Sequence, residues 1–124
     1  MDRCEAKQVK EAYSLIGEHG RFILIGTTPI SGVFNGWSEF ISRMGPVLEE
    51  LPDPTQMTFS ETIVEGDRVV MLASAKGKAL AGRDYSQPYY AFVARVKDDG
   101  FAELIEFCDT VLIEHAYFGK RLVA

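Results

Sequence analysis

The hydrophobic residues in the first half of the chain recur at helical spacing. Asp2 and Asn35 each precede such a stripe and are suited to the N-cap position, so the pattern predicts two amphipathic helices. Pro46 falls inside the second helix and is expected to kink it. In chain order, the two stripes are Val9, Ala12, Tyr13 and Ile16, and then Trp37, Phe40, Ile41, Met44 and Leu48.

From Gln56 onward the apolar residues follow a period of two, which predicts strands. Residues 65–68 (Glu-Gly-Asp-Arg) are typical of a tight hairpin turn, and Asp99-Gly100 favours a two-residue loop between two long apolar runs. Successive strands should therefore pair antiparallel, after helices that come first in the chain. Because the last two strands are apolar on both sides, we expect helices to cover one sheet face and another subunit to cover the other.

The chain has 124 residues without a repeat or a linker-like segment, so residues 1–124 are predicted to form a single domain. Its net charge of −5 disfavours nucleic acid and anionic membranes as partners. The apolar runs are shorter than a membrane span and the N-terminus does not begin as a secretion signal, so a cytoplasmic protein is expected. No Cys or His lies at metal-ligand spacing from another, and neither a metal nor another cofactor is expected.

A two-residue Asp99-Gly100 loop would also set the register of the last two strands, in which Tyr90 would pair with Asp109. Arg95 and Glu106 would share the opposite face, close enough to form an ion pair. A shift of one residue in the loop would instead bring Arg95 and Glu106 onto the first face and remove Asp109 from it. In the predicted register the first face consists of Tyr90, Phe92, Ala94, Ile105, Phe107 and Asp109.

Four local segments carry a resemblance to a known family: GTTPISGVFNG at 26–36, IVEGDRVV at 63–70, RDYSQPYYAFVARV at 83–96 and ELIEFCDT at 103–110. With the order of the elements, they resemble the SnoaL-like and ketosteroid-isomerase-like proteins of the nuclear transport factor 2 (NTF2) fold. The resemblance implies a cone-shaped α+β fold in which a strongly curved, mostly antiparallel sheet packs against N-terminal helices and encloses an apolar cavity. It also implies a homodimer formed through the outer sheet face. The N-terminal helical region is shorter here than is usual for the fold.

The two acids of ketosteroid isomerase are not found at the corresponding positions. Alignment of Gly26 and Pro29 with the Gly-x-x-Pro turn of that enzyme places Ile23 where it has its Asp base. Phe92, eight residues before Gly100, lies where it has the protonated Asp that holds the oxyanion. Because proton transfer requires a titratable group within reach, the resemblance does not imply ketosteroid isomerisation by the family mechanism.

Asp109 is the candidate acid or base, because the predicted register places it beside an aromatic surface and opposite the phenol of Tyr90. Its alternative role is structural, since an Asp at a strand end commonly accepts hydrogen bonds from the turn that follows. Glu61 interrupts an apolar alternation and is either a second cavity acid or the mark of a bulge, an edge or a salt bridge. The expected substrate-binding residues, implied by the resemblance, are Phe22, Trp37, Phe40, Met44, Phe59, Phe92, Ile105 and Phe107. For Trp37, Phe40 and Met44 the alternative is a role in the core, because they follow a helical spacing.

Two functions fit these residues. One is a cofactor-independent isomerase, cyclase, dehydratase or epoxide hydrolase that uses Asp109 and Tyr90 on a compact apolar substrate. The alternative is a non-catalytic module of the same fold that binds a small apolar ligand or a protein segment. A third hypothesis, motivated by the short N-terminal region, is a subunit whose missing helix is supplied by another chain.

Overall fold

The computed structural model describes residues 16–51, 55–98, 100–121 and 123. The predicted helix that follows Asp2 lies outside these residues, apart from Ile16, which is buried at the start of a turn. The described residues form six strands and two α-helices, with a short 3₁₀ turn at Leu80–Gly82. In chain order the elements are β1 (Arg21–Leu24), β2 (Gly32–Asn35), α1 (Trp37–Glu49), β3 (Gln56–Glu65), β4 (Arg68–Lys78), β5 (Asp84–Lys97), β6 (Gly100–Phe107) and α2 (Thr110–Phe118).

The six strands form one mixed sheet in the order β2-β1-β6-β5-β4-β3. All neighbouring strands are antiparallel except β1 and β6, which run parallel. The hairpin predicted at residues 65–68 is confirmed, because Glu65 pairs with Arg68 and Gly66 takes the positive φ of 59° that its turn requires. The predicted α+β class is therefore confirmed as well.

The two helices differ in how well the sequence predicts them. α1 follows its predicted stripe and contains Pro46, although Gly36 occupies the N-cap position in place of Asn35. The prediction that strands come last is wrong, because α2 follows β6. Asp109 caps its first turn, and Gly119 ends it in the left-handed conformation with φ 66°. The apolar residues of α2 are spread around the helix, so its short sequence lacks a clear helical period.

Both helices pack against one face of the sheet, which we call the inner face. Phe22 of β1 pairs with Phe34 of β2 on this face, and Phe40 of α1 packs edge-on against Phe22, with 5.1 Å between ring centroids. From α2, the ring of Tyr117 packs edge-on against that of Tyr85 in β5, at a centroid distance of 5.3 Å. The hydrophobic core thus lies between the inner face and the two helices.

The opposite face, which we call the outer face, carries one continuous apolar row. Each of the six strands contributes one side chain to the row, and each side chain lies directly opposite the next in the strand register. At its two ends Val33 and Ile63 are 45% and 51% exposed. The outer row consists of Val33, Ile23, Ile105, Val93, Val70 and Ile63.

The predicted register of β5 and β6 is wrong by one residue, because two features of the hairpin combine. The loop lies one residue earlier than predicted and includes Asp98 at φ 54°, and one extra residue, Ala102, is inserted into β6 as a bulge. Since successive strand residues face opposite sides of a sheet, a net shift of one residue exchanges the faces of the β6 side chains. The defining pairs are Lys97 with Gly100, Val96 with Phe101, and Arg95 with Glu103.

Candidate functional site

A pocket of about 430 Å³ lies between α1, α2 and the inner face. Its volume falls within the range of pockets that bind small molecules, and most of its lining is apolar. The pocket is partly open to solvent, so the enclosed cavity implied by the resemblance is not shown. The apolar side chains that line it are Phe22, Leu24, Ile30, Trp37, Phe40, Ile41, Met44, Val47, Leu48, Leu51, Met57 and Ile113.

Glu106 brings a carboxylate to this pocket from β6. It is 8% exposed, and among the described residues it is the only buried acidic or basic side chain. Its partners in the strand register are Leu24 of β1 and Phe92 of β5, both of them buried on the inner face. Burial of a carboxylate among apolar groups is costly, and such groups are concentrated at functional sites. Glu106 is therefore the leading candidate for chemistry in the pocket.

Two tyrosine hydroxyls meet at the pocket wall. Tyr85 and Tyr90 both extend from β5, and their hydroxyl oxygens are hydrogen bonded at 2.5 Å. Burial raises the pKa of Tyr85 well above its ordinary value; the hydrogen bond with Tyr90 opposes this shift, and the nearby charge of Glu106 adds to it. The Tyr85 phenol therefore stays protonated at neutral pH and is able to donate a hydrogen bond.

Tyr117 of α2 adds a third hydroxyl to the same wall. Burial raises the pKa of Tyr117, a hydrogen bond with Thr55 opposes the shift, and the charge of Glu106 contributes a further increase. Burial likewise raises the pKa of Cys108 to about 12, with smaller contributions from the carboxylates of Glu106 and Asp109. Burial is the largest cause of the raised pKa in all three groups, and the charge of Glu106 adds to it in each.

Five of the predicted site residues lie together in the pocket: Phe22, Trp37, Phe40, Met44 and Tyr90.

Two other predicted residues lie on the inner face beside the pocket. Phe92 stacks on the ring of Tyr90, with 5.6 Å between ring centroids. Phe59 of β3 lies next to Phe92 at 6.0 Å, but it is 52% exposed. Both residues thus extend the aromatic surface away from the pocket towards the β3 edge.

Asp109, Ile105 and Phe107 are not brought to the pocket. Ile105 lies in the outer row, and Phe107, two residues further along β6, is on the same face. Asp109 is exposed, and its Oδ1 accepts a hydrogen bond from the backbone N–H of Val111 at 3.0 Å, as in its alternative structural role. The predicted face was wrong for these residues because of the bulge in β6.

The other charged residues considered from the sequence also lie away from the pocket. Arg95 pairs with Glu103 in the register and not with Leu104, so the predicted ion pair of Arg95 with Glu106 is wrong: the two side chains are on opposite faces. Glu61 is exposed on the edge strand β3, directly after a bulge at Ser60. This confirms the structural interpretation of Glu61.

Tyr85, Tyr117 and Thr55 were not predicted as site residues, and Glu106 was placed on the wrong face. For Tyr85 a signal was present in the sequence. Pro88 interrupts the strand pattern, and a proline inside a strand commonly marks a bulge. The register of β4 and β5 indeed shifts between Ala73 and Ala75, which brings residues 85 and 90 onto one face although they are five apart.

Within the described ranges, no group of three or more His, Cys, Asp or Glu side chains is arranged to hold a metal ion. Neither of the two described helices has the length and apolar character needed to cross a membrane.

A comparison with protein-family models finds no match, and a comparison with curated protein sequences finds none either. Among solved structures, an NTF2-like protein of unknown function from Burkholderia pseudomallei K96243 is 17% identical, with a TM-score of 0.73 over 91% of this chain and 92% of that one. A putative SnoaL-like polyketide cyclase from Jannaschia sp. CCS1 is 18% identical, with a TM-score of 0.68 over 94% of this chain and 80% of that one. TerC, co-crystallised with polyporic acid, is 18% identical, with a TM-score of 0.71 over 91% and 88% of the two chains.

These similarities define the fold. The chain has the NTF2-like fold, which a putative SnoaL-like cyclase shares, and the fold implied by the sequence resemblance is confirmed.

Proposed function

We propose that the pocket binds a small apolar molecule that carries an oxygen atom, and that Glu106 transfers a proton to or from it without a cofactor. The observation that carries this proposal is the buried carboxylate of Glu106 in an apolar pocket that also presents the hydroxyls of Tyr85, Tyr90 and Tyr117. In this proposal Glu106 takes the role first considered for Asp109, while Tyr90 keeps its role.

The arrangement suits proton abstraction next to a carbonyl group. The Glu106 carboxylate would accept the proton from the carbon, and the electron pair would move to the carbonyl oxygen as an enolate forms. A tyrosine hydroxyl from the Tyr85 and Tyr90 pair would donate a hydrogen bond to that oxygen. Glu106 would then return the proton, which restores the carboxylate: return to the same carbon regenerates the ketone, and return to another carbon of a conjugated enolate completes an isomerisation.

The structural comparisons support the binding of an organic molecule in this fold. TerC was co-crystallised with polyporic acid, and the Jannaschia protein is described as a putative polyketide cyclase. We carry over the general kind of ligand from these proteins, and we derive the residues that would act on it from this chain alone.

Deuterium exchange into 2-tetralone tests the proposal without knowledge of the natural substrate. This ketone is compact, apolar and acidic next to its carbonyl, and NMR in D₂O follows the loss of its α-protons. We expect the protein to accelerate exchange over buffer, and Glu106→Gln to lower the protein-dependent rate by about 10²-fold or more, the usual contribution of a general base.

Glu103→Gln is the matched control, because it makes the same change on the same strand but on the outer face, where Glu103 forms an ion pair with Arg21. This variant should keep the full exchange rate. An equal rate for Glu106→Gln and Glu103→Gln would contradict the proton-transfer role. Binding of 2-tetralone without accelerated exchange would instead favour the non-catalytic ligand-binding module.

For the assembly of the protein, the outer row supports the homodimer implied by the resemblance. Its six apolar side chains run across the whole sheet, and its ends at Val33 and Ile63 are about half exposed. A second copy packed on this face would remove the row from water, which is the main favourable contribution in such interfaces.

A further inference from the structure

One position in the apolar stripe of α1 has no side chain. The stripe repeats at intervals of three and four residues, which is the period of a helix face turned towards the core. Gly45 occupies one of these positions and borders the pocket. In chain order the stripe consists of Trp37, Phe40, Ile41, Met44, Gly45 and Leu48, all of which line the pocket.

The helical backbone at Gly45 does not need the conformational freedom of glycine. The residue lies inside α1 without a positive φ, and glycine inside a helix is destabilising relative to alanine. A Cβ added here would meet Cγ2 of Ile41 at 3.8 Å, an ordinary van der Waals distance. A larger side chain at position 45 would therefore extend into the pocket, and its absence leaves a gap in the α1 wall, which we call the notch.

Pro46 provides one structural reason for a glycine at this position. The Cδ of a proline crowds the Cβ of the residue before it, and glycine avoids this contact. This effect acts on the folding of α1 and is the same for every ligand. A dependence on ligand size therefore separates a role of Gly45 in the pocket from its role beside Pro46.

We propose that Gly45 sets the size of the ligand that the pocket accepts, because part of the ligand's apolar body lies in the notch against the α1 backbone. A cavity of roughly 150 Å³ is enough to hold benzene, so a single ring fills about a third of the 430 Å³ pocket and can avoid the notch. Two linked rings need most of that space. This inference rests on the proposed function only in that the pocket binds a small apolar molecule; it is independent of proton transfer by Glu106.

Two alcohols with the same polar group test the size dependence: cyclohexylmethanol, with one ring, and (4-cyclohexylcyclohexyl)methanol, with two. Trp37 is the single tryptophan of the chain and lines the pocket, so its fluorescence reports binding there, and both alcohols are optically silent. Calorimetry measures the same affinities independently. We expect the wild type to bind the two-ring alcohol at least about tenfold more tightly, because the second ring buries more apolar surface.

Substitutions at position 45 should remove this preference. Gly45→Leu fills the notch and is expected to reduce the preference for the two-ring alcohol to about threefold or less, and Gly45→Ala should reduce it by a smaller factor. Ser42→Leu is the matched control, since it adds the same side chain to α1 at an exposed position that does not line the pocket. This variant should keep the full preference.

The effect of Pro46 is separated by repeating the comparison in a Pro46→Ala background, where the crowding of a Cβ at position 45 is relieved. Gly45→Leu should lower the preference there as well, relative to Pro46→Ala alone. Circular dichroism and urea denaturation would show that each variant is folded. If Gly45→Leu does not fold in either background, Gly45→Ala decides the test.

The outcomes distinguish this inference from the proposed function. If folded Gly45 variants keep the wild-type preference, or if Ser42→Leu lowers it equally, the role of Gly45 is wrong while ligand binding stands. A wild type that binds both alcohols equally would also contradict size selection at the notch. If neither alcohol changes Trp37 fluorescence or is detected by calorimetry, both ligand binding in the pocket and the role of Gly45 are wrong.

Discussion

Phe92 lies directly opposite Glu106 across β5 and β6, so an aromatic ring and a carboxylate share the inner face of the sheet. This relationship depends on one inserted residue, Ala102. Without that bulge, β6 would be shifted by one residue relative to Phe92, and Glu106 would face outward beside the apolar outer row. A single irregularity in β6 therefore places the only buried acidic side chain of the described residues in the pocket.

Asp109 should contribute to stability and not to catalysis. Asp109→Ala removes the side chain that caps α2 and is expected to lower the free energy of unfolding by about 1 kcal/mol. Asp109→Asn keeps a capping oxygen and should stay close to the wild type. Urea denaturation measures both effects, and 2-tetralone exchange should be unchanged in Asp109→Asn. Loss of exchange in that folded variant would restore Asp109 as the catalytic acid or base and contradict our assignment of Glu106.

Much of the fold was predictable because its signals are local. The stripe that contains Trp37, Phe40 and Met44 repeats with the period of an α-helix, and this period is enough to place all three on one side of α1 and into the pocket. The turn at residues 65–68 is similarly encoded by a few adjacent residues, including Gly66 with its positive φ.

The candidate site was less predictable because it depends on register, which a single residue changes. Whether Glu106 or Asp109 enters the pocket is decided by the bulge at Ala102, and a bulge of this kind is stabilised by packing of the whole sheet. The position of Tyr117 depends on the docking of α2, a tertiary contact that spacing within the chain does not encode. Pro88 was a usable local signal for the grouping of Tyr85 with Tyr90.

Gln87 should stabilise the junction between β6 and α2. Its side chain is fully buried, donates a hydrogen bond to the backbone carbonyl of Asp109 and accepts one from the backbone N–H of the same residue. Gln87→Ala leaves both backbone groups without this partner, and we expect it to lower the free energy of unfolding by about 2 kcal/mol. Gln56→Ala, at an exposed position of β3, is the control and should change stability very little. Equal urea midpoints for the two variants would contradict this role.

Stability should fall in alkaline solution between pH 9 and about 12. Cys108 has its pKa raised from 9.0 to about 12 in the folded protein, and the pKa values of Tyr85 and Tyr117 are raised as well. As the pH rises, these three groups therefore lose their protons in the unfolded chain before they do so in the folded protein, which favours unfolding. Their contribution to the free energy of unfolding is complete below pH 9 and is lost as the pH rises towards the folded-state pKa values.

Urea titrations at a series of pH values measure this loss. Cys108→Ala should reduce the slope of stability against pH in this range, because the residue no longer titrates. Tyr89→Phe is the control, since Tyr89 is 84% exposed and its replacement should leave the slope as it is. A slope that is identical in wild type and Cys108→Ala would show that the thiol ionises equally in both states.

Disruption of the outer row should dissociate the proposed homodimer. Ile105 lies near the middle of the row on β6, and Ile105→Glu would place a charge in the interface without a partner, which is strongly unfavourable. Ile63→Lys makes a milder change at the exposed end of the row, so the test remains valid if Ile105→Glu does not fold.

Val64→Glu is the matched control, because Val64 is 65% exposed on the same edge strand but faces the inner side. Light scattering coupled to size exclusion should give the dimer mass for wild type and Val64→Glu and the monomer mass for the two outer-row variants. A wild-type monomer, or a dimer that persists in both outer-row variants, would show that the outer row is not the interface.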